Sequence, residues 1–542
     1  MPRTGKVVTT LTILARRVAL LCLFYAIDAK AFAPCYHGGI NAAACLQRKK
    51  NHSLSFSISN TDSSKSKEST TENADELRPP PKSSHFRPPI APVSFGQALK
   101  GINGKESMHF LLEMAEKTKS DTFQLFGKPF PKLYIVGNVH TARDILLEKS
   151  TSKVPHIYKT YDKIMGKRTM LTTVDNEDFK KMKDSLIKPV FHQSAVVKSM
   201  NRNFEEYAKD WVDNKLETFS ETGQLFDPTE EMGCLFFCSY LDSAFEFNAT
   251  DEDYCNFTRN FETALPELIY KRGISPLRKY HDFMYPKTRE AFKSCKALQA
   301  YGEEILRSYR KKKVEDRSET ATLIKVIADE KAPFKNDKYR VAQIVDLIVA
   351  SHVTTARHVS STMVLMAKHP DVASKLQKEL AGTNSTPRSH QSNLGNMMKE
   401  SYRLCPPGAT LTSLHTTGRD FHVYDALNKS KLGMIVPKGS TVLIPNILMC
   451  RNPGIFPNPD VFVPERWTNA NKDMEDSLLV FSLGNRRCPG QSLASVQTSF
   501  ILEMILSRYS FEIEKEGYFQ FNGLISGFSG TRLCAKKAIN LL

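Results

Sequence analysis

Ten residues near the C-terminus constrain this chain more than any other stretch: Phe481-Ser482-Leu483-Gly484-Asn485-Arg486-Arg487-Cys488-Pro489-Gly490. After them Leu493, Val496, Phe500, Ile501, Met504 and Ile505 recur at three- and four-residue spacing, which predicts a helix. Cys488 therefore stands in a tight Gly/Pro loop that opens onto a helix N-terminus. Free N–H groups at such an end favour the thiolate, the form that binds metal. Gly484 and Gly490 let backbone approach a flat ligand closely. Arg486, two residues before the cysteine, has the reach to meet an anionic edge of that ligand. A lone cysteine beside a turn is ordinarily a structural residue, so the assignment rests on the whole run.

That run reads Phe-x-x-Gly-x-Arg-x-Cys-x-Gly, complete from Phe481 to Gly490. It resembles the haem loop of the cytochrome P450 family. The resemblance implies a mainly α fold with a small β region, the cytochrome P450 fold. It implies haem b held through the Cys488 thiolate, with Phe481, Gly484, Arg486 and Gly490 around the cofactor.

The chain has 542 residues, a length that alone suggests about three domains, whereas the family fold is one large unit. A formal charge of +17 goes with ordinary globular composition, 25% charged and 41% hydrophobic. Fourteen Lys/Arg and six Asp/Glu fall in the first hundred residues, so the excess is shared between the start and the body. A basic body suits an acidic redox partner or a general surface bias, and no nucleic-acid motif accompanies it. Eleven scattered cysteines suit a reducing compartment. Cys234 and Cys238, four apart without a second pair, argue against a zinc site.

Residues 1–31 read as a signal-type leader: basic Arg3, Lys6, Arg16 and Arg17, then the short apolar run Val18–Ile27 and a small-residue site at Ala29-Lys30-Ala31. From Phe32 to Thr61 there is no acid, and serine is frequent. Together these resemble the two-part leader of secondary-plastid proteins, with an endoplasmic-reticulum membrane anchor as the alternative. Residues 32–91 read as a transit-like and proline-rich disordered linker, with Pro79-Pro80-Pro81 and Pro88-Pro89 as a stiff spacer. A single haem-binding domain is expected over 92–542.

Within it, Thr122–Phe126 and Leu133–Val136 read as paired strands and Thr141–Leu147 as helical. Asp175–His192 resembles the family's third helix, with Phe179 and Lys183 where Trp and Arg usually meet a haem propionate. Lysine can pair with that carboxylate but lacks the arginine fork. Tyr339–Lys368 is one long apolar helix candidate ended by His369-Pro370. Here the family pattern is Ala-Gly-x-Asp/Glu-Thr-Thr. Ala350, Thr354 and Thr355 are kept, Ser351 replaces the glycine and Val353 replaces the acid. The resemblance makes Thr354 and Thr355 the catalytic candidates. His352 or ordered water is a candidate substitute for the acid, and a histidine there is equally readable as a core residue.

Glu400-Ser401-Tyr402-Arg403 is followed by Phe462-Val463-Pro464-Glu465-Arg466-Trp467, and then by the cysteine loop. In the family such motifs form a buried structural triad, here Glu400, Arg403 and Arg466. Ile435–Val442 reads as strand, turn, strand. His415 falls roughly where a propionate-binding Arg or His would stand.

The function implied is a haem-thiolate monooxygenase, an enzyme inserting one oxygen atom of O2 into a lipophilic small molecule. No Gly-x-Gly-x-x-Gly stretch is present, so the electrons must come from an external donor such as ferredoxin or a flavin reductase. A plastid setting suggests carotenoids, fatty acids or terpenoids as substrates, by analogy. Two alternatives stay open: a haem-thiolate lyase or isomerase acting on lipid hydroperoxides, and a non-enzymatic haem-binding protein.

Overall fold

The structure is a computed structural model. It describes residues 87–103, 107–127, 132–272, 282–382, 393–408, 414–424, 431–521 and 525–538. The leader and nearly all of the linker lie outside the described residues. Ordered backbone begins ahead of Pro92, with Ile90 bridged to Gln124.

The longer helices, in chain order, are α1 (Phe95–Asn103), α2 (Ser107–Thr118), α3 (Val139–Leu147), α4 (Pro155–Met165), α5 (Asn176–Met182), α6 (Ser194–Asp210), α7 (Pro228–Phe245), α8 (Asp251–Leu265), α9 (Pro286–Lys311), α10 (Asp337–Lys368), α11 (Pro370–Gly382), α12 (Asn393–Leu404) and α13 (Gln491–Arg508). Local chemistry sets their ends. Asn138 caps the start of α3, its side chain accepting from the Thr141 N–H. Asp175 accepts from the N–H groups of Glu177 and Asp178 to start α5, and Thr250 and Asp253 form a capping box on α8. After Met182 the third-helix segment loosens into a π-helical turn, Lys183–Ile187, before closing on Lys188–Phe191.

Four apolar clusters make the core. The first half of α10, from Val341 to Val349, packs with α7, α8 and α9. Its second half, Ala356 to Met366, packs with α6, α12 and α13. One helix of 32 residues thus belongs to two cores, which is why it is apolar on nearly every side. No helix among the described residues is long and apolar enough to cross a membrane.

The main sheet has five strands. β1 (Thr122–Gln124) pairs antiparallel with β2 (Leu133–Val136), as expected, although β1 is buried throughout instead of alternating. Beyond β2 the order continues to Thr441–Leu443, Leu414–Thr416 and Ser152–Lys153. The expected strand-turn-strand at 435–442 is present but does not pair with itself. Lys431–Val436 joins Phe421–Tyr424, while Thr441–Leu443 enters the main sheet. The edge register places Lys153 opposite His415.

Candidate haem-thiolate site

The loop from Phe481 to Gly490 is closed by its own backbone, with the Cys488 N–H donating to the Phe481 carbonyl at 2.8 Å. Gly484 has φ +65°, and a Cβ there would lie 2.4 Å from the Leu146 carbonyl oxygen. Its missing side chain lets the loop dock on the end of α3, so the close approach is to protein. Gly490 is the N-cap of α13 with an ordinary φ of −87°. A Cβ on it would meet only Cys488 Sγ, at 4.0 Å.

Cys488 is exposed, although the loop lies within the fold. Burial of its surroundings raises the thiol pKa, and the Gly490 N–H and Arg487 only partly offset this. The sequence expectation of a helix end that lowers the thiol is therefore corrected: desolvation wins. A metal ion must displace the proton.

Arg486 reaches across to the segment before α5. It donates to the carbonyls of Thr173 (2.9 Å), Val174 (3.2 Å) and Asp175 (3.1 Å) and to Asn176 Oδ1 (2.9 Å). Its guanidinium lies over the Phe179 ring, 4.0 Å from the centroid. So Phe179, at the family's tryptophan position, is the platform for Arg486. Burial lowers the Arg486 pKa to about 10.

Two further buried basic groups stand beside it. Burial and the charge of Arg486 hold Lys153 down at about 7. Burial, Lys153 and Arg486 together hold His415 at about 3. Thr173, fully buried, has a hydroxyl without a partner. The three basic groups repel one another around one loop, Arg486 and Lys153 are each held by protein carbonyls, and the Thr173 hydroxyl is left without a partner. They fit the carboxylates of a bound group. Lys183 is not part of this cluster: it heads the π-helical turn and its charge is felt at Asp184. Lys153 stands in the cluster instead. No motif marks Lys153 in the sequence; only the strand register brings it opposite His415.

Along α10, burial is interrupted once in mid-helix. Val341–Val349 are buried and Val359–Met366 are buried, while Ala350 is exposed and Ser351, Val353 and Thr354 are half-buried. Thr354 Oγ1 donates to the Ala350 carbonyl at 3.3 Å and Thr355 Oγ1 to Ser351 at 3.1 Å. The buried Tyr240 lies on α7, and burial raises its phenol, with Asp346 and Cys488 adding to the rise. His352 turns the other way. Its Nδ1 bonds the Ile348 carbonyl at 2.6 Å, and Phe237, Tyr254 and Phe257 meet its ring edge-on. Burial lowers its pKa to about 4. It is a core histidine, and it does not replace the missing acid.

Glu400, Arg403 and Arg466 meet as expected. Arg403 grips Glu400 through two bonds of 2.8 Å, and Arg466 Nε adds one of 3.1 Å. The sequence did not flag Trp467, whose indole N–H donates to Glu400 at 2.8 Å. Burial pushes Glu400 up, but Arg403, the Val463 N–H and Trp467 outweigh it and its pKa is lowered. Nor was Tyr402 flagged: inside the same motif it stacks on His358 at 3.5 Å and meets Phe481 edge-on at 5.6 Å.

Comparison with known proteins agrees with this geometry. The family model described as Cytochrome P450 matches residues 87–522. This chain belongs to the cytochrome P450 family. It is similar to Cytochrome P450 3A29 of Sus scrofa, 24% identical over 73% of this chain and 81% of that protein. Cyclooctat-9-en-7-ol 5-monooxygenase of Streptomyces melanosporofaciens is 23% identical over 70% of this chain and 80% of its own length. The crystal structure of the cytochrome P450DA heme domain superposes with a TM-score of 0.66, covering 84% of this chain and 98% of that one at 16% identity. The cytochrome P450 fold is thereby established, and with it an oxidoreductase of the P450 monooxygenase type that uses a thiolate-ligated haem.

Proposed function

We propose that this P450 inserts one oxygen atom of O2 into a lipophilic small molecule, using haem b ligated by Cys488 and electrons from an external donor. The observation that carries the reading is the accessible Cys488 thiol beside the half-buried Arg486 and the buried Lys153 and His415. When bound, the haem supplies O2 activation. Arg486, Lys153 and His415 would hold its carboxylates. Thr354 would orient a proton-bearing hydroxyl or water at the window, and the long bond to Ala350 is easily exchanged for one to a ligand. Thr355, buried and bonded to Ser351, would keep the helix in register. The Streptomyces relative, named for a reaction on cyclooctat-9-en-7-ol, supports a lipophilic substrate. The leader's composition supports a plastid location, with ferredoxin as donor; retention in the endoplasmic reticulum would instead favour a flavin reductase.

Val353 favours a second reading, a lyase or isomerase of lipid hydroperoxides, because no acid stands at that position and His352 faces away. Product formed per reductant oxidised separates the two. The monooxygenase needs reductant and O2. Val353→Asp should raise its coupling, since general acid help is worth about 10²–10⁴ in rate. A lyase turns over hydroperoxide without reductant, and Val353→Asp leaves it unchanged or slower.

A further inference from the structure

Cys234 and Cys238 stand one helical turn apart on α7, so their thiols share a face of that helix. Their Sγ atoms are 3.8 Å apart. In the sequence the pair stands alone, but the fold brings a third group to it. The Cys234 thiol donates to Asp251 Oδ1 at 3.1 Å, and Asp251 is the first residue of α8. Packing fixes that meeting. A Cβ on Gly233, next to Cys234, would collide with the Tyr254 hydroxyl, so α8 lies close against α7 there. Phe237 then meets Tyr254 edge-on at 5.7 Å. The capping box of Thr250 and Asp253 sets the start of α8 at Asp251. The two sulfurs and the carboxylate oxygen all lie within 4.8 Å of one another. Solvent reaches the group from the Asp251 side: Asp251 is exposed, Cys234 is half-buried and Cys238 closes the back.

Two thiols and a carboxylate converging from two helices are the donor set of a borderline-soft divalent cation. Two sulfurs on one tetrahedral zinc, each at about 2.3 Å, stand about 3.8 Å apart, the separation found here. A carboxylate oxygen in the same shell stands about 3.6 Å from each sulfur, so Asp251 needs to draw back from Cys234 by about 0.5 Å. Its exposed side chain allows that. We propose that Cys234, Cys238 and Asp251 bind one divalent cation of the zinc class, with water as fourth ligand, and that the ion staples the start of α8 to α7. Both thiol protons leave to solvent as the metal takes their place. Lys215 sits on the far oxygen of Asp251 at 3.2 Å and on Glu231 at 3.3 Å. There it keeps Oδ1 turned toward the thiols and offsets part of the negative charge that two thiolates and two carboxylates gather. The staple bears on α10 as well, because Tyr254 and Phe257 of α8 pack edge-on against His352. None of the residues assigned to the haem takes part, so the site stands whichever reaction the haem performs.

The test uses the haem-loaded full chain, stripped of loose metal by a chelator, kept reduced, and titrated with Zn2+. Calorimetry gives stoichiometry and affinity. X-ray absorption at the zinc edge, where haem iron does not interfere, counts the sulfur ligands. One zinc per chain is expected, with two sulfurs at about 2.3 Å. Cys234→Ser and Cys238→Ser should each weaken binding by about a hundredfold or more, beyond the 10–100-fold that loss of an outer-shell partner costs. Asp251→Asn should weaken it about tenfold, since an amide oxygen is a poorer donor than a carboxylate. Haem content reports whether each variant folds, and the exposed Asp251 and half-buried Cys234 keep the test open if Cys238→Ser does not. Zinc should also slow amide hydrogen exchange in the first turn of α8 in the wild type and leave it unchanged in Cys234→Ser. Absence of zinc binding, a shell with fewer than two sulfurs, or undiminished affinity in Cys234→Ser means adventitious binding only and overturns the proposal. Exchange in α8 that ignores zinc overturns the staple.

Discussion

The two motif regions of α10 and α12 handle their polar groups in opposite ways. Around Glu400 every bond is long-range or shared. One carboxylate accepts from Arg403, Arg466, the Val463 N–H and the Trp467 indole, and Arg403 also donates to the carbonyls of Cys450 and Val461. In the middle of α10, Ser351, His352, Thr354 and Thr355 each bond a carbonyl of their own helix three or four residues back. The first arrangement is over-determined, and losing one member strands a buried charge. The second is local, and a ligand can replace its bonds at little cost. On the function proposed above, a structural brace and a reaction surface differ in where their hydrogen bonds go.

The largest expected effect removes the reaction surface without touching the brace. Cys488→Ser should abolish the thiolate-type absorbance of the reduced, carbon monoxide-bound haem, because the alcohol remains protonated and ligates iron poorly. Circular dichroism should show the fold retained. A variant that keeps the thiolate-type spectrum removes Cys488 as the ligand.

Breaking the brace should do the reverse. Arg403→Ala leaves Glu400 charged and 0% exposed, a loss of about 3–5 kcal/mol, which is a large share of the stability of an ordinary domain. Misfolded or haem-free protein is expected, scored by yield and haem content. A soluble, haem-replete Arg403→Ala that is merely slow would place the triad in the chemistry. Arg466, whose side chain is 10% exposed, should be the milder substitution.

Acid sharpens the comparison on α10 itself. Burial holds His352 at about 4 and His358 at about 3, against an ordinary 6.5. With His415, held at about 3 in the same way, the unfolded chain binds three protons between pH 6.5 and 4 that the folded one does not. Stability is therefore full above pH 6.5 and falls as pH drops, by about 4 kcal/mol per unit near pH 5. Denaturant unfolding at pH 7, 6 and 5 reads the slope. His358→Phe, which preserves the stack on Tyr402, should lower it by about a third, and an unchanged slope would mean that His358 is charged in the fold.

Much of this division is legible in the sequence. The cysteine loop, the Glu-x-x-Arg pair and the long helix are contiguous patterns, and contiguous patterns survive without coordinates. Arg403 is recognisable because its partner is three residues away. Trp467 and Lys153 are not, since their roles depend on a loop crossing and a strand register. The pKa of Cys488 comes out in the wrong direction from sequence because a helix end is visible there and desolvation is not. His352 illustrates the remaining difficulty: the helix is apolar on nearly every side, so periodicity does not say which face meets the aromatic rings of α7 and α8.

The smallest expected effect lies in the cysteine loop, where the two regimes meet. Ser482 has φ 57° and ψ −175°, a conformation that is nearly confined to glycine. The loop imposes it: the Ser482 N–H donates to Leu479, the Cys488 N–H returns to Phe481, and Gly484 is pinned against Leu146. Holding a side chain in that region costs about 1–3 kcal/mol, and glycine removes most of that strain while regaining chain entropy when unfolded. Ser482→Gly should therefore stabilise the protein by about 1 kcal/mol in denaturant unfolding, with haem content and the thiolate-type spectrum unchanged. If the strain instead positions Cys488, the variant gains stability but its spectrum shifts or its haem loosens. Stability and spectrum measured on the same preparation decide whether the loop is a brace that tolerates strain or a reaction surface that uses it.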